Sequence, residues 1–462
     1  MKAKCWLIGN PDGSFPSNAQ AAARMRGLSL FFCPAAEGEL RALPAHNRTL
    51  LAISFERMRS LSRVEKRRLS ESVMSGATLY VRGGLRRGEP LDLAPFMPST
   101  AEAPGEIATS SYRFTFDPLL PRVLHGEHAE GDFRIPAARG LGRQGRPLLV
   151  AREADSTLWP ALFAIEHGDG IVLCDLHDDV SDERPLLRRL ENSATMPGAI
   201  GAVIAAERAA GLRPEITPSF NIVIDDRPAN LDYFNVHSLR AFLSHLGDRC
   251  PGVRVDFAWT PDQSRPSRRY IETLKEFNTG FVWHGLLHHV DHRTVEDPRR
   301  DFALGRRLVD EISRRYEVEF QPVMVFPFEK DTAGSIAVLK RAGFIAKAES
   351  HDDTAAAEIS GAESLSDVGA DERDRNFTVL ERHDVGALSR ERMLARAALG
   401  LPIIAAAHPR DVALKRFSRL RRDGGSADCF DEVTGFAAEK KLRPEALEQI
   451  AHEMIAARAA AG

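Results

Sequence analysis

Cysteine is scarce in this sequence, and charge of one sign is not in excess. The five cysteines stand far apart, their number is odd, and no two of them have CxxC spacing. This pattern argues against a disulfide framework and against a thiolate zinc site. Lysine and arginine (62) nearly balance aspartate and glutamate (65), which gives a formal charge of −3. A nucleic-acid partner would require a basic excess, so we expect none.

Long apolar runs are missing too. No stretch approaches the ~20 apolar residues of a membrane-spanning helix. The first apolar run, residues 5–8, is too short for a signal peptide and ends in a turn-like sequence at residues 10–13. We therefore expect a cytoplasmic protein without a membrane span, and the sequence leaves its oligomeric state open.

What is present is the composition of a folded globular protein. Apolar residues make up 43% of the 462 residues and charged residues 27%, which is compatible with a large core. Up to residue 210, strand-like runs alternate with helical patterns. One predicted helix begins at Ser62 and has Glu65 three residues later, which forms a capping box. The alternation predicts an α/β domain with a parallel sheet over residues 1–210.

The alternation starts again after a predicted helix at residues 196–211 and a Pro-containing stretch. We therefore place a second domain at residues 215–462. Repeated βα units of this length predict a distorted parallel (β/α) barrel. The strands that the sequence predicts for it are 220–224, 253–259, 281–283, 323–326, 344–348 and 403–407.

Polar or unusual clusters stand at the ends of four of these predicted strands. In parallel α/β folds the carboxyl ends of the strands meet at one face, and active sites form there. We therefore treat these clusters as parts of one candidate site. They are Asp225-Asp226, the segment from His284 to His288, Phe326-Pro327-Phe328-Glu329, and His408-Pro409.

The histidine cluster indicates a metal site. His284 and His288 are four residues apart, so a helical turn would put both imidazoles on one face. His289 and His292 add to the cluster, and a lone capping or core histidine explains it less well. Zinc suits such ligands, as do other first-row ions, and the sequence does not choose between them.

The pair Asp225-Asp226 has two interpretations, and so has His408. A metal bound to one aspartate would leave the other available as a base, but a helix N-cap followed by a solvated acid explains Asp225-Asp226 equally well. His408 follows five small or aliphatic residues, where it is either hydrogen-bonded structure or a catalytic acid–base. The neighbouring histidine cluster favours catalysis.

The order of these motifs resembles that of the polysaccharide deacetylases of the NodB-homology type. The resemblance covers roughly residues 219–415 and lies in Ile222-Val-Ile-Asp225-Asp226, His284-x-x-x-His288, Phe326-Pro327-Phe328 and Ala-Ala-His408. It implies that Asp225 is the general base and His408 the general acid. It also implies that Asp226, His284 and His288 bind a divalent metal ion, with an N-acetylated sugar or polysaccharide as substrate.

The sequence departs from the family pattern at two places. Gly285 stands where the family has Ser or Thr, and Val325 stands where it has an arginine that positions the base. Arg227 and Arg410 are candidates to replace that arginine. Arg227, beside the aspartates, and Phe328, which can stack on a sugar ring, are the candidate substrate-binding residues. Trp283 is a further candidate for stacking, whereas Trp259 is expected in the core.

Two other functions remain open from the sequence. The missing arginine is compatible with a catalytically impaired, deacetylase-like protein that binds carbohydrate or acts as a scaffold. A barrel glycosidase is less well supported, because only Glu329 stands out as a second acid at another strand end.

The first 210 residues loosely resemble the non-catalytic class I glutamine-amidotransferase-like, or flavodoxin-like, domains attached to some sugar-processing enzymes. The resemblance lies in the segment Ser75-Gly-Ala-Thr-Leu-Tyr-Val81 and in the hairpin His167-Gly-Asp-Gly170. No cysteine follows the first segment, so we expect an accessory domain. His177 with Asp175, Asp178 and Asp179 could hold a cation, but a solvated loop is the favoured interpretation.

Overall fold

The structure of the protein is a computed structural model. The residues that it describes are 3–9, 16–33, 40, 43–44, 47–83, 93–96, 105–138, 145–153, 157–177, 186–192, 195–211, 217–225, 235–261, 266–285, 298–326, 333–350, 376–408 and 426–461.

The first part of the chain forms a nine-stranded sheet in the order β2-β1-β3-β4-β9-β8-β7-β5-β6. The first five strands in that order, β2 to β9, are parallel to one another. Each of the remaining pairs, from β9–β8 to β5–β6, is antiparallel. The strands are β1 (Lys4–Ile8), β2 (Ser29–Cys33), β3 (Thr49–Ser54), β4 (Thr78–Arg82), β5 (Gly105–Phe114), β6 (His128–Ala137), β7 (Arg146–Arg152), β8 (Leu158–His167) and β9 (Gly170–Asp175). The helices that accompany them are α1 (Ser17–Met25), α2 (Phe55–Ser60), α3 (Arg63–Met74), α4 (Leu186–Leu190) and α5 (Met196–Ala210).

Local sequence explains several of these elements. The capping box predicted at Ser62 and Glu65 begins α3. Helix α5 has apolar residues almost all round and is nearly fully buried, as expected for a helix covered on every side. Gly211 ends α5 with a φ of 72°, a left-handed conformation that glycine adopts without strain.

The predicted parallel sheet covers only the first five strands in that order. The alternation of strands and helices accounts for the parallel section and the β8–β9 hairpin, but β5, β6 and β7 extend the sheet with antiparallel strands. Their sequences contain charges together with Gly131, Pro136 and Pro147, so they lack a regular apolar alternation. The flavodoxin-like or amidotransferase-like character of this part stays a prediction.

The second part of the chain forms the predicted parallel barrel. Seven strands neighbour one another in chain order, and β10 pairs with both β11 and β16, which closes the ring. These strands are β10 (Ser219–Ile224), β11 (Val255–Trp259), β12 (Thr279–His284), β13 (Phe320–Val325), β14 (Ala346–Ser350), β15 (Thr378–Asp384) and β16 (Ile403–Ala407). A two-residue strand, β17 (Arg443–Pro444), pairs with the start of β10. The helices of this part are α6 (Val236–Arg249), α7 (Arg268–Lys275), α8 (Pro298–Tyr316), α9 (Ala333–Arg341), α10 (Arg390–Ala398), α11 (Ser426–Glu439) and α12 (Leu447–Ala461).

Small apolar side chains fill the barrel interior. Because side chains alternate along a strand, every second residue points inward. The interior cluster contains Val223, Ala258, Val282, Val323, Val325, Ala346, Ala348, Leu380 and Ile404. Leu447, Ile450 and Ala451 of α12 belong to the same cluster, so α12 closes the end of the barrel at which the strands begin.

A buried carboxylate holds that closed end together. Asp256 is fully buried and accepts hydrogen bonds from Asn221 Nδ2 at 2.9 Å and from Gln321 Nε2 at 2.8 Å. It also accepts from Arg254 Nε at 2.9 Å and from the backbone N of Leu447, the first residue of α12, at 3.0 Å. Asp256 therefore joins three strands to the start of α12.

The nine-stranded sheet and the barrel contact each other. One apolar cluster runs from Leu7 and Leu50 in the sheet to Phe257 and Ile403 in the barrel. Glu127, just before β6, pairs with Arg390 of α10 at 3.2 Å and also with Lys440. Within the described residues, no helix combines the length and the apolar character needed to cross a membrane.

Candidate active site

Three of the predicted site residues lie at the carboxyl ends of barrel strands. Asp225 follows β10, His284 ends β12, and His408 follows β16. The backbone N of Asp225 donates to the carbonyl oxygen of Ala407 at 2.8 Å, so Asp225 and His408 are neighbours across the β10–β16 pair. Asp225 and His284 are 4% and 3% exposed, whereas His408 is exposed.

Strand alternation directs Asp225 and His284 to the inside of the barrel. Val223 and Val282 stand two residues before them and belong to the interior cluster. After His284, Gly285 has a φ of 75°, a left-handed conformation that side chains rarely adopt. This explains why glycine stands at the exit from β12.

An arginine that the sequence did not reveal binds the candidate base. Arg382 on β15 donates from Nη1 to Oδ2 of Asp225, and the two side chains are 3% and 5% exposed. Asp225 Oδ1 is buried and has no hydrogen-bond partner among the residues that the structure describes. The carboxylate therefore has one oxygen fixed by a cation and one available to a bound group.

Arg382 is a further candidate for the arginine that the motif position lacks. Val325 is fully buried in the barrel interior and supplies no charge. Of the described residues, it is Arg382, two strands from β10 around the barrel, that supplies the guanidinium. Arg227 and Arg410, which the sequence offered as replacements, lie outside the described residues.

Contacts on the outer side of β15 hold the strand that carries Arg382. Arg396 of α10 donates from Nη1 to Glu381 Oε2 at 2.7 Å and from Nε to the carbonyl oxygen of Pro402 at 3.1 Å. Arg396 is buried and Glu381 is 25% exposed, so this contact is partly shielded from water. It ties α10 to β15 beside Arg382.

The remaining predicted site residues cannot be placed. Asp226, Arg227, His288 and Phe328 lie outside the described residues. Within the described part of the chain, no group of three potential metal ligands comes together. His284, buried at the end of β12, is the one predicted ligand within the described residues, and its imidazole suits a divalent ion.

Burial argues against two other interpretations, a stacking role for Trp283 and a solvated position for Asp175. Trp283 is 1% exposed and packs against Phe302 and Phe344, so it offers no surface to a sugar. Asp175 is fully buried at the end of β9, not in a solvated loop. Its Oδ1 lies 2.7 Å from His177 Nδ1, and its Oδ2 accepts a hydrogen bond from Tyr80 at 2.7 Å.

Comparisons with known proteins identify distant structural similarity only. No protein-family model matches the sequence, and no curated protein matches it either. Among solved structures, a candidate polysaccharide deacetylase from Mycobacterium smegmatis is 13% identical, with a TM-score of 0.36 over 53% of this chain and 93% of the other. A chitin deacetylase from Colletotrichum lindemuthianum is 14% identical, with a TM-score of 0.25 over 44% and 90% of the two chains. A family 4 carbohydrate esterase from Streptomyces lividans is 11% identical, with a TM-score of 0.24 over 40% of this chain and 86% of the other. Similarity at this level carries no argument on function, which has to come from the residues of the site.

Proposed function

We propose that the barrel carries a metal-dependent hydrolase site that removes N-acetyl groups from an amino sugar or polysaccharide. The observation that supports this most is the state of Asp225. One of its oxygens is held by Arg382, and the other has no partner among the described residues. It lies at the mouth with His284 and His408 on nearby strand ends.

In this proposal, Asp225 and His408 each carry out one proton transfer. Asp225 Oδ1 accepts a proton from the attacking water, while Arg382 fixes Oδ2 and so orients the carboxylate. His408, on the neighbouring strand end, donates a proton to the departing amine nitrogen, which is otherwise a poor leaving group. Acetate and the free amino sugar are the products.

A divalent ion completes the site. Asp226, His284 and His288 are its proposed ligands, and zinc is the first candidate. When bound, such an ion polarises the acetamide carbonyl and acidifies water. Arg227 and Phe328 are the proposed substrate contacts, by charge and by stacking on the sugar ring respectively.

Metal content and acetate release test the proposal together. We expect protein purified without chelator to contain stoichiometric divalent metal and to release acetate from chitin oligomers or peptidoglycan. Asp225→Asn and His408→Ala should keep the metal and lose about 10²–10⁴-fold in rate, because proton transfer is removed. Asp226→Ala, His284→Ala and His288→Ala should lose metal and activity together, because one of three protein ligands is removed.

Several outcomes would contradict the proposal. Protein without metal that gains no activity on adding zinc, cobalt or nickel would refute the metal-dependent function. Full metal in Asp226→Ala, or none in Asp225→Asn, would show that the roles of the two aspartates are reversed.

The alternative of a carbohydrate-binding protein without catalysis has lost part of its support. It rested on the absence of an arginine for the base and on the non-catalytic character expected of the first domain, and Arg382 contacts the proposed base. Saccharide binding by calorimetry without acetate release would nevertheless identify it.

A further inference from the structure

A buried hydroxyl at the mouth of the barrel has no partner. Thr260 follows β11 directly and is fully buried. Its Oγ1 makes no hydrogen bond with any residue that the structure describes. A buried polar group without a partner lowers the stability of the fold, so each such group in a protein needs an explanation.

The position of Thr260 places it in the candidate active site. Trp259 pairs with Trp283 across the β11–β12 pair, so the next residues, Thr260 and His284, stand at the same level. Ala258 lies in the barrel interior, and alternation therefore puts Thr260 on the interior side as well. Pro261 follows and favours an extended backbone at Thr260, which preserves the alternation.

Neither a helix cap nor a hydrogen bond to the described backbone accounts for the hydroxyl of Thr260. Helix α7, the next helix, is capped by Ser267, whose side chain accepts from the backbone N of Tyr270. Two other buried threonines have partners: Thr434 donates to the carbonyl oxygen of Phe430 at 2.6 Å, and Thr273 donates to that of Arg269 at 2.9 Å. Thr260 differs from both.

We infer that Thr260 is a further substrate-binding residue, whose hydroxyl forms a hydrogen bond with the N-acetylated sugar. This inference rests on the proposed function. A hydroxyl both donates and accepts, so it suits the hydroxyl and acetamide groups of such a sugar. Thr260 lies beside His284 and on the strand next to that of Asp225, within the region that the reacting group would occupy.

The test compares Thr260→Val with Thr434→Val. Valine keeps the shape of threonine without its hydroxyl. Thr260→Val should melt at or above the temperature of the wild-type protein, because it removes an unpaired buried group. Its KM for chitopentaose should rise roughly tenfold, the factor that about 1.4 kcal/mol corresponds to, with a smaller change in kcat. Thr260→Ser should restore KM.

The control should behave in the opposite way. Thr434→Val removes a hydroxyl that has a partner, so it should lower the melting temperature and leave KM unchanged. A wild-type KM in Thr260→Val, or a melting temperature well below that of the wild type, would overturn the inference.

Failure of the proposed function can be recognised separately. If the wild-type protein releases no acetate, the deacetylase proposal fails, and calorimetry with chitopentaose then decides about Thr260. Weaker binding by Thr260→Val than by the wild type would support the substrate contact. Equal binding, or no binding by the wild type, would overturn it.

Discussion

At the level of single residues, Arg382 supplies a guanidinium that the motif position does not. In the proposed mechanism a guanidinium orients Asp225, and it can come from any strand end that reaches the mouth. Val325 cannot supply it, but Arg382 on β15 reaches the same carboxylate from another direction. The sequence shows the departure at Val325 but does not show that Arg382 reaches Asp225.

Replacing Arg382 should affect both stability and activity. Arg382→Met leaves Asp225 as an unpaired buried charge, which should lower the free energy of unfolding by about 3–5 kcal/mol and reduce acetate release. Arg382→Lys should recover part of both. Urea unfolding measures the first effect. In a double-mutant cycle with Asp225→Asn, the two stability losses should be far from additive, and simple additivity would argue against the ion pair.

Asp175 gives the nine-stranded sheet a predictable response to acid. Burial raises the pKa of Asp175. The His177 imidazole, the Arg82 guanidinium and hydrogen bonds from His177 and Tyr80 lower this pKa by more than burial raises it, so it lies below its ordinary value. A carboxylate whose pKa is lowered on folding stabilises the folded protein at pH values above the ordinary pKa of that carboxylate. That stabilisation is lost as the pH falls through the folded value.

Asp175→Asn should therefore lower stability by about 1–3 kcal/mol at pH 7, because buried partners lose a charged acceptor. The difference from the wild type should shrink as the pH falls below about 4. Urea unfolding of both proteins at a series of pH values measures it. A difference that stays constant down to pH 3 would contradict the assignment of a lowered pKa to Asp175.

At the level of elements, the barrel was predictable where strands are apolar and helices are capped. Strand β16 (Ile403–Ala407) has the predicted limits, and Ser267 caps α7 as a helix start should. Strand β15 was missed because four of its seven residues are Glu381, Arg382, His383 and Asp384. Arg382 and His383 are buried, and Arg382 pairs with Asp225 of another strand, which a hydrophobic pattern cannot show. The site was predictable to the same extent: Asp225, His284 and His408 follow apolar runs, but Arg382 and Thr260 depend on contacts between strands.

The closure of the barrel by α12 can be tested at Asp256. Asp256→Ala would leave the donors of Asn221 and Gln321 and the backbone N of Leu447 without their buried acceptor. We expect the free energy of unfolding to fall by about 3–5 kcal/mol. Asp248→Ala, which changes an exposed aspartate of α6, is the matched control and should change it by less than about 0.5 kcal/mol. Similar losses in both variants would show that Asp256 does not hold this end.

At the level of the whole molecule, the sheet and the barrel form a joint core with a charged contact at its edge. The apolar cluster that passes from one to the other is continuous, and Glu127 adds ion pairs to Arg390 and Lys440. Lys440 and Glu127 are 9% and 12% exposed, so the contact is largely protected from solvent. Both features couple the unfolding of the two parts.

Glu127→Ala should weaken that coupling. Lys440 and Arg390 would keep Glu439 but lose Glu127, so we expect a loss of about 1–3 kcal/mol and a broader or split thermal transition in calorimetry. Glu71→Ala breaks only the exposed pair of Glu71 with Arg67 and should cost under about 0.5 kcal/mol. A single, unshifted transition in Glu127→Ala would show that the apolar contact alone joins the two parts.

The place of α12 in the sequence has a consequence for biosynthesis. A ribosome delivers residues in order, so β10 emerges long before β16, its neighbour in the ring, and before α12, which fills the end of the barrel. Until then, apolar side chains such as Val223 have no complete interior to enter. Contacts between such distant segments form slowly, and nascent chains that expose apolar surface are prone to aggregate. The growing chain should therefore depend on chaperones until residue 451 has left the ribosomal tunnel.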